Sequence, residues 1–513
     1  MVRESRVKKS LLNARMNMIC YFASLIVAFF TRKIFLTQLG TEFIGLTGTL
    51  QSLLGFLNLA ELGVGTAIGY VLYKPIFEND RHKMNEIISV LGYLYRCIGL
   101  FILGAGIILS MFLPIIFPNT TFSLGVIYWG FYAYLSSAIL GYFVNYKTSL
   151  LSADQKNYLV TGYFQATTTG KVIIQMFLAI VIQSFYLYLA IEMIFGIVNS
   201  IILNWKINKT YPWLTSDIRL GKELFKKYPE IGKYVKQMFC HRIASFVQFQ
   251  ITPFLVYAYV SLPVVALYGN YTLITQRVQG FVGGIFDSAW ASIGNLISEG
   301  DTQKIYKVFE ELLALRIYVS GVLACCIYYL CTPFISVWLG SQYELSNIIL
   351  LLISVQFFLV FAYGSTGAFI LGYGLFYDVW APMAEAIIFV VTSMICGTFW
   401  GLSGVLCGPI AATVIITYLW KPYFLYSKGF KMPVYKYWLM FIPQVINIIL
   451  AYFIAGLVSE RILPKTVFSS SWIGWIEGSV LFTLLMAVVA LVLFYLISSG
   501  MRNFVHRFIK IKK

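Results

Sequence analysis

The chain has 513 residues, of which 59% are hydrophobic and only 12% charged, with a mean hydropathy of +0.79. Soluble globular chains carry roughly 25% charged residues, and one this apolar could not cover itself with polar surface, which excludes a soluble enzyme. The 38 Lys and Arg against 21 Asp and Glu leave a net charge of +17, but the basic residues sit between long apolar stretches, so a membrane explains them better than nucleic acid does.

In chain order, Met1 to Ser10 is basic and polar, and the apolar run after it reaches about Leu36. That exceeds the roughly 7–15 residues of a signal h-region and lacks a small-residue cleavage site, so it is expected to remain as the first transmembrane helix. A helix crosses the hydrocarbon core in ~20 residues. By that measure the sequence predicts about 14 spans: 12–36, 43–73, 87–116, 122–145, 158–181, 185–204, 237–259, 264–291, 310–338, 346–372, 379–400, 403–425, 436–458 and 473–498. Pro253, Pro333, Pro382, Pro409 and the Gly283-Gly284 pair fall inside spans, where neighbouring helices can satisfy the freed backbone groups. The eight cysteines (Cys20, Cys97, Cys240, Cys325, Cys326, Cys331, Cys396 and Cys407) lie in or beside these runs without CxxC spacing. They read as small packing residues, not as disulfides or a metal site.

The connections predict the orientation. Odd-numbered ones, such as Thr37–Glu42, Pro118–Thr121, Gln183–Ser184 and Ser261–Leu262, contain no Lys or Arg. Even-numbered ones carry nearly all of them: Lys74, Arg81 and Lys83; Lys147 and Lys156; Lys304 and Lys307; Lys421, Lys428 and Lys431. The longest, Lys206 to Lys236, is the most basic, and Arg461 with Lys465 is the main exception. Under the positive-inside rule both termini face the cytoplasm. The outer connections are too short for the external domain expected of a glycan polymerase or ligase.

The central basic loop divides an internal repeat. With Glu299 placed over Glu78, the residues Leu46, Gly48, Gly63, Asp80 and Lys83 fall on Leu267, Gly269, Gly284, Asp301 and Lys304 without a gap. Each segment is a membrane helix followed by a short acidic-basic turn. Six helices per half give both halves one orientation, the pattern of transporters built from parallel repeats. The expected organisation is an N-lobe over 1–204, a cytoplasmic basic linker over 205–236, a C-lobe over 237–426, and helices 13 and 14 with a basic tail over 427–513.

Polar residues inside spans are costly and usually face an interior. The second span places Gln51, Asn58 and Glu61 with Gly55 and Gly65 on one face; the fifth groups Thr161, Thr168, Lys171 and Gln175; the sixth aligns Glu192, Gly196 and Asn199. In the second half Arg242 and Ser245 share a face, as do Asn270, Arg277, Gly284 and Ser288. Stripes of small residues are also ordinary packing seams. Arg15, Arg32, Lys33 and Arg316 could instead snorkel to an interface, whereas Arg96, Lys171, Arg242 and Arg277 lie deeper. Glu61 and Glu192 either pair with these cations or couple transport to an ion; Asp287 and Glu385 lie near predicted boundaries. His241 reads as a structural neighbour of Arg242. An excess of buried cation attracts an anion strongly in a low dielectric, and Arg suits bidentate phosphate binding. The expected substrate therefore carries phosphate or pyrophosphate.

Specific motifs reinforce this reading. Thr31-Arg32-Lys33 precedes Leu39-Gly40-Thr41-Glu42-Phe43-Ile44-Gly45-Leu46. Further on come Leu59-Ala60-Glu61-Leu62-Gly63-Val64-Gly65-Thr66-Ala67-Ile68, Leu72-Tyr73-Lys74-Pro75 and Ser152-Ala153-Asp154-Gln155-Lys156. Over roughly the first third of the chain this resembles the polysaccharide transporter family, the O-antigen and capsule flippases of the multidrug/oligosaccharidyl-lipid/polysaccharide (MOP) exporter superfamily. The resemblance implies an all-α polytopic fold with two six-helix lobes in a V plus two C-terminal helices. It also implies that an undecaprenyl-pyrophosphate-linked oligosaccharide moves from the inner to the outer leaflet of a bacterial inner membrane. Arg32 lies where such flippases place a cavity arginine and Glu61 where they keep an acid, while Arg242 and Arg277 match no family motif.

The expected substrate-binding cations are thus Arg32, Arg96, Lys171, Arg242 and Arg277, with Gln51, Asn58 and Asn270 on the polar cavity face and Glu61 and Glu192 as ion-coupling acids. No enzymatic activity, metal or cofactor is expected beyond a coupling proton or sodium ion. The partners are the lipid-linked oligosaccharide and the bilayer, with a glycan polymerase and other assembly proteins as candidates and no nucleic acid. The rival readings are a lipid-linked peptidoglycan-precursor flippase, a cation-coupled drug antiporter and, from another class, a membrane-embedded glycan polymerase or ligase.

Overall fold

In hydrocarbon, backbone N–H and C=O groups can be satisfied only within helices or a closed barrel, and the long apolar runs of this chain form helices. The computed structural model describes residues 6–511 apart from 62, 119, 288–292, 295, 298, 376 and 469–470; side chains at some further positions, 237–238, 240–246 and 248–249 among them, also lie outside that description. The described residues form no strand.

The first helix, α1 (Arg6–Leu57), joins the first predicted span to part of the second through Gly40, whose φ of 85° and ψ of 161° turn the chain without a loop. The second span is not one continuous helix as expected. After Leu57 come a 3₁₀ turn at Asn58–Glu61, Gly63 with φ 91°, and then α2 (Val64–Glu78). Glycine accepts that left-handed φ without a Cβ clash, so the break falls where Gly63 and the polar pair Asn58 and Glu61 interrupt the apolar run. There follow α3 (Arg81–Met111), α4 (Leu124–Phe143), α5 (Asn157–Val181), α6 (Phe185–Thr210), α7 (Pro229–Tyr259), α8 (Leu262–Asp287) and α9 (Thr302–Trp338). The tenth predicted span is divided into α10 (Asn347–Ala362) and α11 (Gly364–Gly372). In α12 (Trp380–Ala412) Gly401 takes φ 53° and ψ −128°, and helix continues as π and α segments to Phe430. The chain ends with α13 (Tyr435–Ile462), α14 (Trp472–Ile497) and α15 (Ser499–Ile511). With α1 and the α12 segment each counted as two passes, this is an all-α polytopic membrane protein of about 14 spanning helices. Its large apolar side chains include many that face outward, Phe399 being 76% exposed, as a lipid solvent permits.

The chain divides into two compact units: Met1–Tyr257 with Ser261–Ala266, and Ala258–Val260 with Leu267–Lys513. The first is centred on Phe43, Ile68, Ile87, Phe131 and Leu151, all buried. Phe43 packs against Phe185 and Tyr188 with centroids 4.6 and 5.4 Å away. In the second unit Phe309, Phe369, Tyr426 and Phe430 form an aromatic centre, and Tyr329 stacks on Phe482 at 3.9 Å.

The repeat is visible in the turns of each unit. Asp80 caps α3 by accepting from the Lys83 N–H at 2.9 Å, and Asp301 caps α9 by accepting from Gln303 and Lys304 N–H at 3.1 and 3.0 Å. A left-handed residue precedes each cap, Asn79 (φ 56°) and Gly300 (φ 78°). At the next two connections Gln155 and Gln183 (φ 59° and 53°) are matched at nearly the same spacing by Gly374 and Gly401 (φ 67° and 53°).

Residues 211–228 of the basic central loop form a strap on the first unit. Thr215 N–H donates to Asn85 at 3.1 Å, Asp217 N–H to Ser89 Oγ at 3.0 Å, and Lys227 Nζ to both Glu86 carboxylate oxygens at 2.7 and 2.8 Å. Tyr228 also donates to Glu86, and burial together with that carboxylate raises the phenol's pKa. The predicted basic tail is helical. In α15 Met501 is buried, and Arg507 meets Glu311 of α9 at 2.9 Å.

Candidate functional site

The first unit forms a half-open cavity of about 470 Å³ between the Asn58–Glu61 turn and helices α3, α4, α5 and α6. Breaking the second span at Gly63 places Asn58 and Glu61 on this wall. Tyr142 OH donates to Asn58 Oδ1 at 3.0 Å, and Tyr95 OH donates to Glu61 Oε1 at 2.8 Å. Across the cavity, Lys171 Nζ of α5 lies 2.7 Å from Glu192 Oε1 of α6. Gln175 Nε2 donates to Glu192 Oε2 at 3.3 Å and to the Tyr188 carbonyl at 3.0 Å. Thr167 OH donates to Asn199 Oδ1 at 3.0 Å, and Asn145 Nδ2 donates to Ser200 Oγ at 3.1 Å. Gly196 lets α6 approach α4 so closely that a Cβ there would overlap Ser137. The lining therefore combines amides and hydroxyls with the rings of Tyr95, Tyr142, Phe164 and Phe195, two acids and one lysine.

Four of the expected residues meet at this cavity: Asn58, Glu61, Lys171 and Glu192. Among the described residues, Lys171 is the one expected cation that lines it. Arg32 donates from Nη2 to the Ala266 carbonyl at 2.8 Å, within the first unit. Arg96 is exposed on α3, as is Gln51 on α1. In the second unit, α8 carries Arg277, partly buried, and Asn270, which is fully buried. The side chains of Arg242, His241, Ser245 and Asp287, and residue Ser288 as a whole, lie outside the described residues. Arg316, offered above as a snorkelling residue, is instead buried. Its Nε donates to the Phe361 carbonyl at 2.8 Å, and its guanidinium lies 4.4 Å from the Phe286 ring and 4.3 Å from that of Phe361.

Sequence reading missed the contributions of Tyr95, Ser137, Tyr142 and Asn145. The available signal was polar residues interrupting the apolar runs of the third and fourth spans. What hid it is that tyrosines and serines are common in such runs for packing alone.

No family model matches the chain, and no curated protein matches it in sequence. Among solved structures it is similar to the lipid II flippase MurJ in an inward closed conformation, with 15% identity over 93% of this chain and 98% of that one and a TM-score of 0.62. It is also similar to an inward-facing multidrug resistance transporter of the MATE family of the MOP superfamily, with 13% identity over 79% of this chain and 95% of that one and a TM-score of 0.60. A MATE in a bent conformation has 14% identity over 82% of this chain and 96% of that one, with a TM-score of 0.52. At these identities the likeness is one of fold.

Proposed function

We propose that the protein is a flippase that moves an undecaprenyl-pyrophosphate-linked oligosaccharide from the inner to the outer leaflet of a bacterial inner membrane by alternating access. The observation that carries this reading is the extent of the fold likeness. MurJ accounts for 93% of this chain, whereas the two MATE structures use 95–96% of their own length to account for 79% and 82% of it. The chain thus has polypeptide in excess of a MATE and close to the amount of a lipid-linked-substrate flippase. The motifs of the first third, from Thr31-Arg32-Lys33 to Ser152–Lys156, support a glycan-bearing substrate in particular.

On this reading residues 1–204 and 237–426 are the two lobes, 205–236 joins them on the cytoplasmic side, and 427–513 adds helices 13 and 14. The lipid tail stays in the bilayer while the headgroup crosses. An inside-negative potential favours expulsion of an anion by ~2.3 kcal/mol per charge per 100 mV. Arg32, Arg96, Arg242 and Arg277 are the candidate contacts for the pyrophosphate, and a proton or sodium ion on Glu61 or Glu192 would reset the empty carrier.

One observation favours a second reading, the cation-coupled drug antiporter: among its described lining residues the first-unit cavity has two carboxylates against one lysine. Reconstitution separates the two. Liposomes loaded with a fluorescent undecaprenyl-pyrophosphate oligosaccharide should show protein-dependent exposure to an external quencher, lost in Arg277→Ala. Flipping retained in that variant would remove Arg277 from the site. Absence of flipping across several lipid-linked glycans, with proton-driven efflux of a cationic dye, would replace the flippase reading by the antiporter.

A further inference from the structure

We infer that the cavity of the first unit is a saccharide subsite, which holds a glycosyl residue of the substrate and excludes its pyrophosphate. The inference rests on the flippase reading and assigns that cavity a ligand class.

Charge comes first. Lys171 is engaged by Glu192 at 2.7 Å, and Glu61 stands on the opposite wall. Among the described lining residues there is no further Lys or Arg. A pyrophosphate placed here would have to pull Lys171 from Glu192 and leave that carboxylate beside it, and like charges repel.

The remaining lining suits a polyol. Asn58, Asn145, Asn199 and several hydroxyls supply both donors and acceptors, and a sugar hydroxyl both donates and accepts. Asn145 Oδ1 is buried and accepts no hydrogen bond among the described residues, although its Nδ2 is committed to Ser200 at 3.1 Å. Burying an acceptor in this way costs about 1–3 kcal/mol, which a ligand hydroxyl would offset. Phe164, 53% exposed, offers a ring to the apolar face of a pyranose. A volume of about 470 Å³ falls within the range of small-molecule sites and suits a short saccharide.

The test uses the full chain in the cells that make it, so that the native substrate is its own probe. A photoreactive p-benzoylphenylalanine replaces Phe164 and, in a control, Phe177, which is 61% exposed on the same helix. After irradiation, mild acid cleaves the glycosyl phosphate bond of any captured lipid-linked glycan. The expected result is sugar mass retained on the α5 peptide with the probe at position 164 and not at 177, reduced about tenfold by Asn145→Leu, the equivalent of one hydrogen bond. A polyprenyl adduct at position 164, or none, overturns the subsite. Flipping assayed on the same chain in liposomes keeps the two readings apart. A chain that flips without a sugar adduct loses only the subsite; one that flips nothing and captures an organic cation loses the flippase reading as well.

Discussion

Lys171 and Glu192 show how single side chains behave when water is scarce. They are 19% and 15% exposed and 2.7 Å apart, with Gln175 as a further donor to the carboxylate. Removing one partner of such a pair strands the other, which costs about 3 kcal/mol, while removing both is far milder. Lys171→Met should lower the thermal midpoint of the detergent-purified protein by several degrees, and adding Glu192→Gln should restore most of it. A Lys171→Met chain as stable as the parent would sink the pairing. In the sequence these residues were legible as two polar faces on neighbouring spans, with pairing to a cation as one of two readings for Glu192. Which cation it meets depends on the rotation of α5 against α6, which helical spacing does not contain. Arg316 makes the same point, since a snorkelling and a ring-stacked arginine look alike until Phe286 and Phe361 are placed around it.

The units repeat each other most clearly at the starts of helices. Asp80 and Asp301 each accept a backbone N–H three residues on, and each follows a residue in the left-handed region. Replacing such a cap costs about 1 kcal/mol, so Asp80→Ala and Asp301→Ala should each destabilise by that amount and to a similar degree in thermal unfolding. Unequal losses, one near zero, would mean that the two turns are not equivalent. The alignment of Glu78 with Glu299 exposed this equivalence because caps are short local signals. The division of the second span was not legible in the same way. Asn58, Glu61 and Gly63 are each tolerated within a helix, and their joint effect emerges only where Tyr142 and Tyr95 of α4 and α3 receive the polar side chains.

For the whole molecule, sidedness and the strap can be tested together. The strap residues 211–228 carry several trypsin sites held against α3 by Glu86, Ser89 and Asn85. If the Lys-rich connections face the cytoplasm, trypsin should cut within the strap in inverted vesicles and leave it intact in sealed right-side-out spheroplasts. Gly221→Val should speed cleavage several-fold, because a side chain there would overlap Tyr93 and the Ser89 carbonyl. Cutting in intact spheroplasts would reverse the assigned orientation, and an unchanged rate in Gly221→Val would mean that the strap is not held by this contact. Compositional reading marked 205–236 as a linker because charge is what stands out there. By packing, the strap and α7 through Tyr257 belong to the first compact unit.

The membrane class, about 14 helical passes, the alternation of basic connections and the repeat are legible without coordinates, because each follows from residue type and spacing along one chain. Tertiary structure decided which polar groups share a cavity. It brought Asn58, Glu61, Lys171 and Glu192 together and left Arg32 and Arg96 outside that wall. The physical reason is that hydrophobicity selects a helix and its burial, but the direction in which a buried charge is satisfied depends on helix rotation and on breaks such as those at Gly63 and Gly401. Those are settled only when neighbouring helices pack.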